Sequence, residues 1–185
     1  MRVLGIAGSL RAGSYNRALL RAAVELAPAE MEIEAFEGLR EIPLYDGDVE
    51  AAGLPEPVRR LAEAIAAADG VLLVTPEYNF GVPGVLKNAI DWISRQPAGA
   101  PLRGKPVALA GASGGAAGTA RSQLELRPTL AMMGALVLAG PNVMVGDAGG
   151  RFDDELRLVD EPTREQLAAL LTGFADWVRL VGLKA

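Results

Sequence analysis

Gly8 to Asn16 reads GSLRAGSYN, and these are the residue types of a loop that holds an anion. Ser9, Ser14 and Asn16 offer short polar groups, Arg11 offers a planar cationic fork, and the glycines let backbone N–H groups approach a ligand closely. Set ahead of a helix, such a loop also presents the positive end of the helix dipole, which suits a phosphate. Polyphosphate transfer does not fit. The glycines are spaced as in a P-loop, but Ser14 and Tyr15 stand where that motif needs Lys and then Ser or Thr. The dinucleotide fingerprint fails as well, because two residues separate Gly5 from Gly8, although an acidic residue, Glu37, follows the second apolar run. A hydroxyl-rich loop without either signature fits a single terminal monophosphate ester. Plain helix capping by the same serines and asparagine is the competing reading.

A second stretch, TPEYNFGVPGVLKNAIDW from Thr75, contains two prolines and two glycines that stiffen it. Pro76, Glu77, Tyr78, Asn79 and Phe80 can therefore present a fixed edge of backbone amides, one side-chain amide and two aromatic faces, suited to a flat, hydrogen-bonding heterocycle. Glu77 could instead be a helix-start acid, with Tyr78 and Phe80 as core caps. Lys87 and Asp91 have the i, i+4 spacing of an ordinary ion pair. A third stretch, GASGGAAGTARSQ from Gly111, offers Ser113 and Gly114, with Gly115 and Gly118 beyond, for close backbone approach to a ligand.

These loops need a scaffold that brings them together. Short apolar runs at Arg2 to Ala7, Met31 to Phe36, Gly70 to Thr75, Pro106 to Ala112 and Leu136 to Ala139 read as five strands. Helical spacing of apolar residues fills the intervals: Leu19, Leu20, Ala23, Val24 and Ala27; Val58, Leu61, Ala62 and Ile65; Leu86, Ala89, Ile90 and Ile93. A last helix is predicted from about Thr163 to Val181, just after Pro162, and Pro128 should kink or break a helix over Thr119 to Met133. Continuously apolar strands such as VLLV at 71–74 require cover on both faces, which a doubly wound α/β fold supplies. The alternating MEIEAF suits an edge strand, giving the order 2-1-3-4-5 in a three-layer α/β/α arrangement. In that order all three loops lie at strand carboxyl ends around one crevice. Two polar connections, Gly38 to Pro57 and Gly146 to Pro162, are long enough to be either functional or mobile.

Composition narrows the chemistry further. The 185 residues suit one domain, 1–185, and contain neither Cys nor His, which removes thiolate nucleophiles, disulfides, soft metal ligands and the usual base near neutral pH. No metal site and no catalytic acid or base is therefore expected. A net charge of −5 argues against nucleic acid and anionic membranes, and no signal peptide or membrane span is read, so the expected location is cytoplasmic. No arginine cluster for an additional phosphate is evident.

A phosphate cradle at one end and a planar platform at the other describe a flavin mononucleotide site where strands one and three diverge. Together, GSLR-x-x-S-x-N and PEYN-x-x-x-PG-x-LKNAIDW resemble the NADPH-dependent FMN reductase family over Arg2 to about Gly140. The resemblance implies a flavodoxin-like fold with bound FMN, NADPH or NADH as co-substrate, and quinones, FMN, azo compounds or chromate as acceptors. It also implies a homodimer or homotetramer. By motif position it makes Ser9, Arg11, Ser14 and Asn16 phosphate ligands and Pro76 to Phe80 isoalloxazine and ribityl contacts, with Ser113 and Gly114 following. A flavodoxin-type single-electron carrier and a nucleotide-binding module without turnover are the rival readings.

Overall fold

The structure, a computed structural model, describes residues 1–182; the last three residues of the expected domain, 183–185, lie outside the described residues. Its centre is a parallel sheet of β1 (Arg2–Ala7), β2 (Glu32–Ala35), β3 (Gly70–Val74), β4 (Pro106–Ala112), β5 (Leu136–Val137) and β6 (Val143–Val145). Around it lie α1 (Tyr15–Leu26), α2 (Gly47–Ala52), α3 (Glu56–Ala67), α4 (Gly84–Ile93), α5 (Ala120–Met132) and α6 (Glu161–Gly182). The strand order is β2-β1-β3-β4-β5, as the flavodoxin-like reading requires, and β6 also pairs with β4.

Side-chain alternation along the strands divides the core into two. Val3, Leu72, Val74, Ala108 and Ala110 face one way, onto Leu19 and Ala23 of α1 and Leu167, Leu171 and Phe174 of α6. Their neighbours Leu4, Ile6, Val71, Leu73, Val107 and Leu109 face the other way, onto Val58, Leu61 and Ile65 of α3, Ile90 of α4 and Leu126 of α5. Strands β3 and β4 are buried along their whole length, whereas only Ile33 of β2 is buried, as expected of a half-wet edge.

Three expectations are corrected. The fifth strand does not run from 136 to 139. β5 pairs with Pro106 and Val107, the chain leaves the ladder, and β6 returns to pair with Ala110 to Ala112. Pro141 has no N–H for a ladder, and side chains of α5 bond carbonyls on either side of the gap: Arg127 donates to Leu138 O at 2.9 Å and Gln123 to Val143 O at 2.9 Å. Pro128 does not break its helix, since α5 is continuous across it. The proline removes the donor for the Leu124 carbonyl, and Leu124 is exposed, so water can serve that oxygen instead. The last helix starts at Glu161, not after Pro162, and a proline in the first helical turn loses no bond that an interior residue would make.

Both long connections are built segments. The first contains a 3-10 turn, Gly38–Glu41, and α2. The second buries Ala148, Phe152 and Leu158 against the α1 side of the core, with Phe152 stacked on Tyr15 at 5.3 Å between ring centroids. Asp160 ties it to α6, accepting from the Thr163 amide at 3.1 Å and from Arg151 at 2.7 Å. The Thr163 hydroxyl first, and then Arg151, hold the Asp160 carboxyl below its ordinary value of 3.8. A depressed folded-state value means that this stabilisation is complete above pH 3.8 and is lost as pH falls through the folded-state value. Urea midpoints of wild type and Asp160→Asn should accordingly differ near neutral pH and converge below about pH 3.8; a constant difference would remove Asp160 from the acid response.

Candidate functional site

Register alone brings the three loops together. Ala7 pairs with Val74 and Val74 with Ala110, so the segments after β1, β3 and β4 leave the sheet side by side. The ladder extends one step into them, through Gly8 N to Val74 O and Thr75 N to Ala110 O, both at 2.9 Å. The cleft they enclose has a volume of about 400 Å³, within the range of small-molecule sites. Ser9, Arg11, Ser14, Asn16, Pro76, Glu77, Tyr78, Ser113 and Gly114 all line it, joined by Tyr15 and Ala112. Asn79 and Phe80 stand outside this lining, at the tip of a tight turn closed by reciprocal Tyr78 and Gly81 backbone bonds at 3.0 and 3.1 Å. Both have positive φ, 49° and 69°, so the turn projects Phe80 outward, 72 % exposed.

The β1 loop is a cradle of donors. Among the described residues, nothing accepts a hydrogen bond from the backbone N–H groups of Leu10, Arg11, Ala12, Gly13 or Ser14. These amides precede the N-terminus of α1, which Ser14 caps by accepting from Asn16 and Arg17 amides at 3.2 and 3.3 Å. The Ser14 hydroxyl therefore caps the helix and still has its own hydrogen to donate. Arg11 is exposed beside the cleft with its guanidinium 5.7 Å from the Tyr15 ring centroid, and no carboxylate among the described residues pairs with it.

The cleft continues onto the β3 loop through the Ser9 hydroxyl and the Tyr78 phenol, 3.2 Å apart. The Glu77 carboxylate does not point along this edge. It accepts from the Arg121 and Ser122 amides at 2.8 and 3.2 Å, filling the N-terminus of α5, and meets the Arg121 Nε at 3.3 Å. Its side chain is thus a helix-start acid, but of α5 and not of α4, the helix that follows its own loop, and an anion is turned away from the cradle. The backbone amides of Glu77 and Gly114 have no acceptor among the described residues and remain to meet a ligand edge. Lys87 and Asp91 form the expected ion pair, at 2.6 Å.

Asn16 has a role that its position in the motif did not reveal. Its side chain donates to Ala112 O at 2.8 Å and accepts from Ala112 N at 2.9 Å, a two-point brace between α1 and the end of β4. Sequence spacing carries no signal for a bond between residues so far apart. Gly111, next to it, is glycine for want of room: a Cβ would lie 2.1 Å from Thr75 O and 2.4 Å from Thr119 Oγ1.

A ligand that fits here has a terminal group rich in acceptors, facing five free amides, hydroxyls and one guanidinium, and a planar body with polar edges facing free amides. The phosphate and isoalloxazine of FMN meet both requirements. A family model described as NADPH-dependent FMN reductase matches residues 1–150. The chain is similar to an NAD(P)H-dependent FMN reductase of Pseudomonas aeruginosa, at 49 % identity over 97 % of this chain and 96 % of the relative. It is similar at 44 % identity to a quinone reductase of Escherichia coli, over 98 % and 97 % of the two chains. Among solved structures, FerB of Paracoccus denitrificans, described as a flavoenzyme NAD(P)H:(acceptor) oxidoreductase, matches with a TM-score of 0.85 at 33 % identity, over 96 % of this chain and 97 % of that one.

Proposed function

Since the chain belongs to the NADPH-dependent FMN reductase family, we propose that it holds FMN in the cleft above β1, β3 and β4 and reduces quinone-like acceptors at the expense of NADPH or NADH. The observation that carries this reading is the donor-only cradle of the β1 loop, joined through Ser9 and Tyr78 to an edge of free amides. FMN, when bound, supplies two-electron chemistry between nicotinamide and acceptor. The chain's residues hold and orient it. Ser9, Ser14, Arg11 and the amides of Leu10 to Ser14 take the phosphate. Pro76, Glu77, Tyr78, Ser113 and Gly114 frame the ring and ribityl chain, the glutamate through its backbone.

Hydride uptake by a quinone leaves one proton to be added, and water in the open cleft supplies it. No side chain is assigned as acid or base. The cleft would also admit other acceptors of the kind the family implies, among them free FMN, azo compounds and chromate. We read residues 1–185 as one domain working in the cytoplasm, where reduced nicotinamide is available; no helix among the described residues is long and apolar enough to cross a membrane. A homodimer or homotetramer is supported by the exposed Phe80, Leu124 and Met132 on the hairpin and α5.

Purified protein is expected to be yellow, to bleach with NADPH or NADH under nitrogen and to recolour on adding a quinone. Protein that is colourless, and that oxidises neither nucleotide when given FMN and a quinone, would overturn the proposal. Arg11→Ala should raise the Kd for FMN about 10-fold, the scale of one charge-assisted hydrogen bond, without moving the Tm of the flavin-free protein. An unchanged Kd would remove Arg11 from the cradle.

A further inference from the structure

A second cleft opens on the β2 side of the same loop and shares Ser9 with the first. It lies between α1, the end of β2 and the 3-10 turn that follows. Its volume of about 170 Å³ is small for a whole cofactor and suits one end of a ligand whose remainder lies elsewhere. Leu20, Ala35, Phe36 and Leu39 make an apolar floor, and three guanidinium groups, from Arg17, Arg21 and Arg40, make its rim.

In a chain of net charge −5 this concentration of cations is unusual, and its pairing is incomplete. Arg17 is bound to Glu37 at 2.8 Å. Among the described residues Arg21 and Arg40 have no carboxylate within 4.0 Å; each makes one bond to a backbone carbonyl, Leu156 O at 3.3 Å and Leu10 O at 2.8 Å. A guanidinium has five N–H donors, so most of this capacity is free. Ser9 borders both clefts, so they meet at the β1 loop, and a dinucleotide with one end on the ring platform would cross that loop to place its other end here.

We infer that this cleft receives the adenosine 2′-phosphate of NADPH, the arginine forks taking the phosphate and the apolar floor taking the base, and so sets the preference for NADPH over NADH. The inference rests on the function proposed above. Glu37 is the opposing element: its carboxylate occupies Arg17, repels a dianion, and can accept from the free 2′-hydroxyl of NADH. The preference is therefore adjustable in both directions.

The test uses flavin-loaded protein. Calorimetric titration with adenosine 2′,5′-bisphosphate should show binding at least about tenfold tighter than with adenosine 5′-monophosphate, a margin that shrinks with added salt. Arg21→Gln should lower the ratio of kcat/KM for NADPH to that for NADH about tenfold, and Glu37→Gln should raise it. Arg21→Lys, which keeps the charge and loses the fork, should fall between wild type and Arg21→Gln. Equal binding of the two nucleotides, or a ratio in Arg21→Gln within about twofold of wild type, overturns the inference. Flavin absorbance of each preparation separates this outcome from failure of the functional reading: protein that takes up no FMN sinks that reading, while the bisphosphate titration still interrogates the cleft.

Discussion

Asn16→Ala should destabilise the protein by about 2–5 kcal/mol and abolish tight FMN binding, although the side chain removed spends its bonds on the protein. Asn16 is buried, and both of its amide atoms are committed to the backbone of Ala112. Truncation leaves a buried N–H and a buried C=O without partners, each costing about 1–3 kcal/mol. It also frees the first turn of α1 from β4, so the cradle and the Ser113–Gly114 loop lose their common reference. Asn16→Asp is an informative companion, because it retains the acceptor for Ala112 N and sets a charge against Ala112 O. Urea denaturation and FMN titration on both variants measure the two effects. An alanine variant with wild-type midpoint and affinity would show that the brace is dispensable.

Gly111→Ala should be at least as damaging. The added methyl would collide with a backbone oxygen, Thr75 O, and with the side chain of the fully buried Thr119. Neither can retreat, since Thr75 is held in the ladder by Ala110 and Thr119 receives the Gln123 amide at 2.9 Å. Overpacking of this kind costs about 3 kcal/mol or more, corresponding to a Tm lowered on the order of 10 °C in a chain of this size. Gly84→Ala is the control: a Cβ there meets nothing within 4 Å, and the residue begins α4. If both variants melt together, the tight seam between β3, β4 and α5 is looser than its geometry requires.

The scaffold was legible because its signals are local. Continuous burial of VLLV and the alternation of MEIEAF each follow from one strand's surroundings, and together they led to the observed strand order. The clustering of three loops came with that order. Residue roles were less legible because they depend on partners remote in the chain. Nothing near Glu77 in sequence announces that its carboxylate caps α5, and nothing near Asn16 announces Ala112. The sixth strand was hidden for a different reason: Gly140 and Pro141 interrupt the apolar run, and only the free edge of β4 makes the chain resume pairing. For the arginine rim one signal was available. Arg17 and Arg21 are four residues apart and so share a face of α1, but Arg40 joins them only through the tertiary fold.

The two margins of the sheet have a bearing on how the protein behaves when crowded or partly unfolded. An edge strand is a template on which another chain can pair, and a long flat one invites aggregation. β2 is only four residues long, with Glu32 and Glu34 along it. The opposite margin is broken into pieces of two and three residues, with Pro141 between them and Arg127 bonded to the carbonyl of Leu138. Neither border offers a run of free donors and acceptors long enough to template a foreign strand, so the irregularity of the fifth strand protects the folded chain from edge-to-edge association.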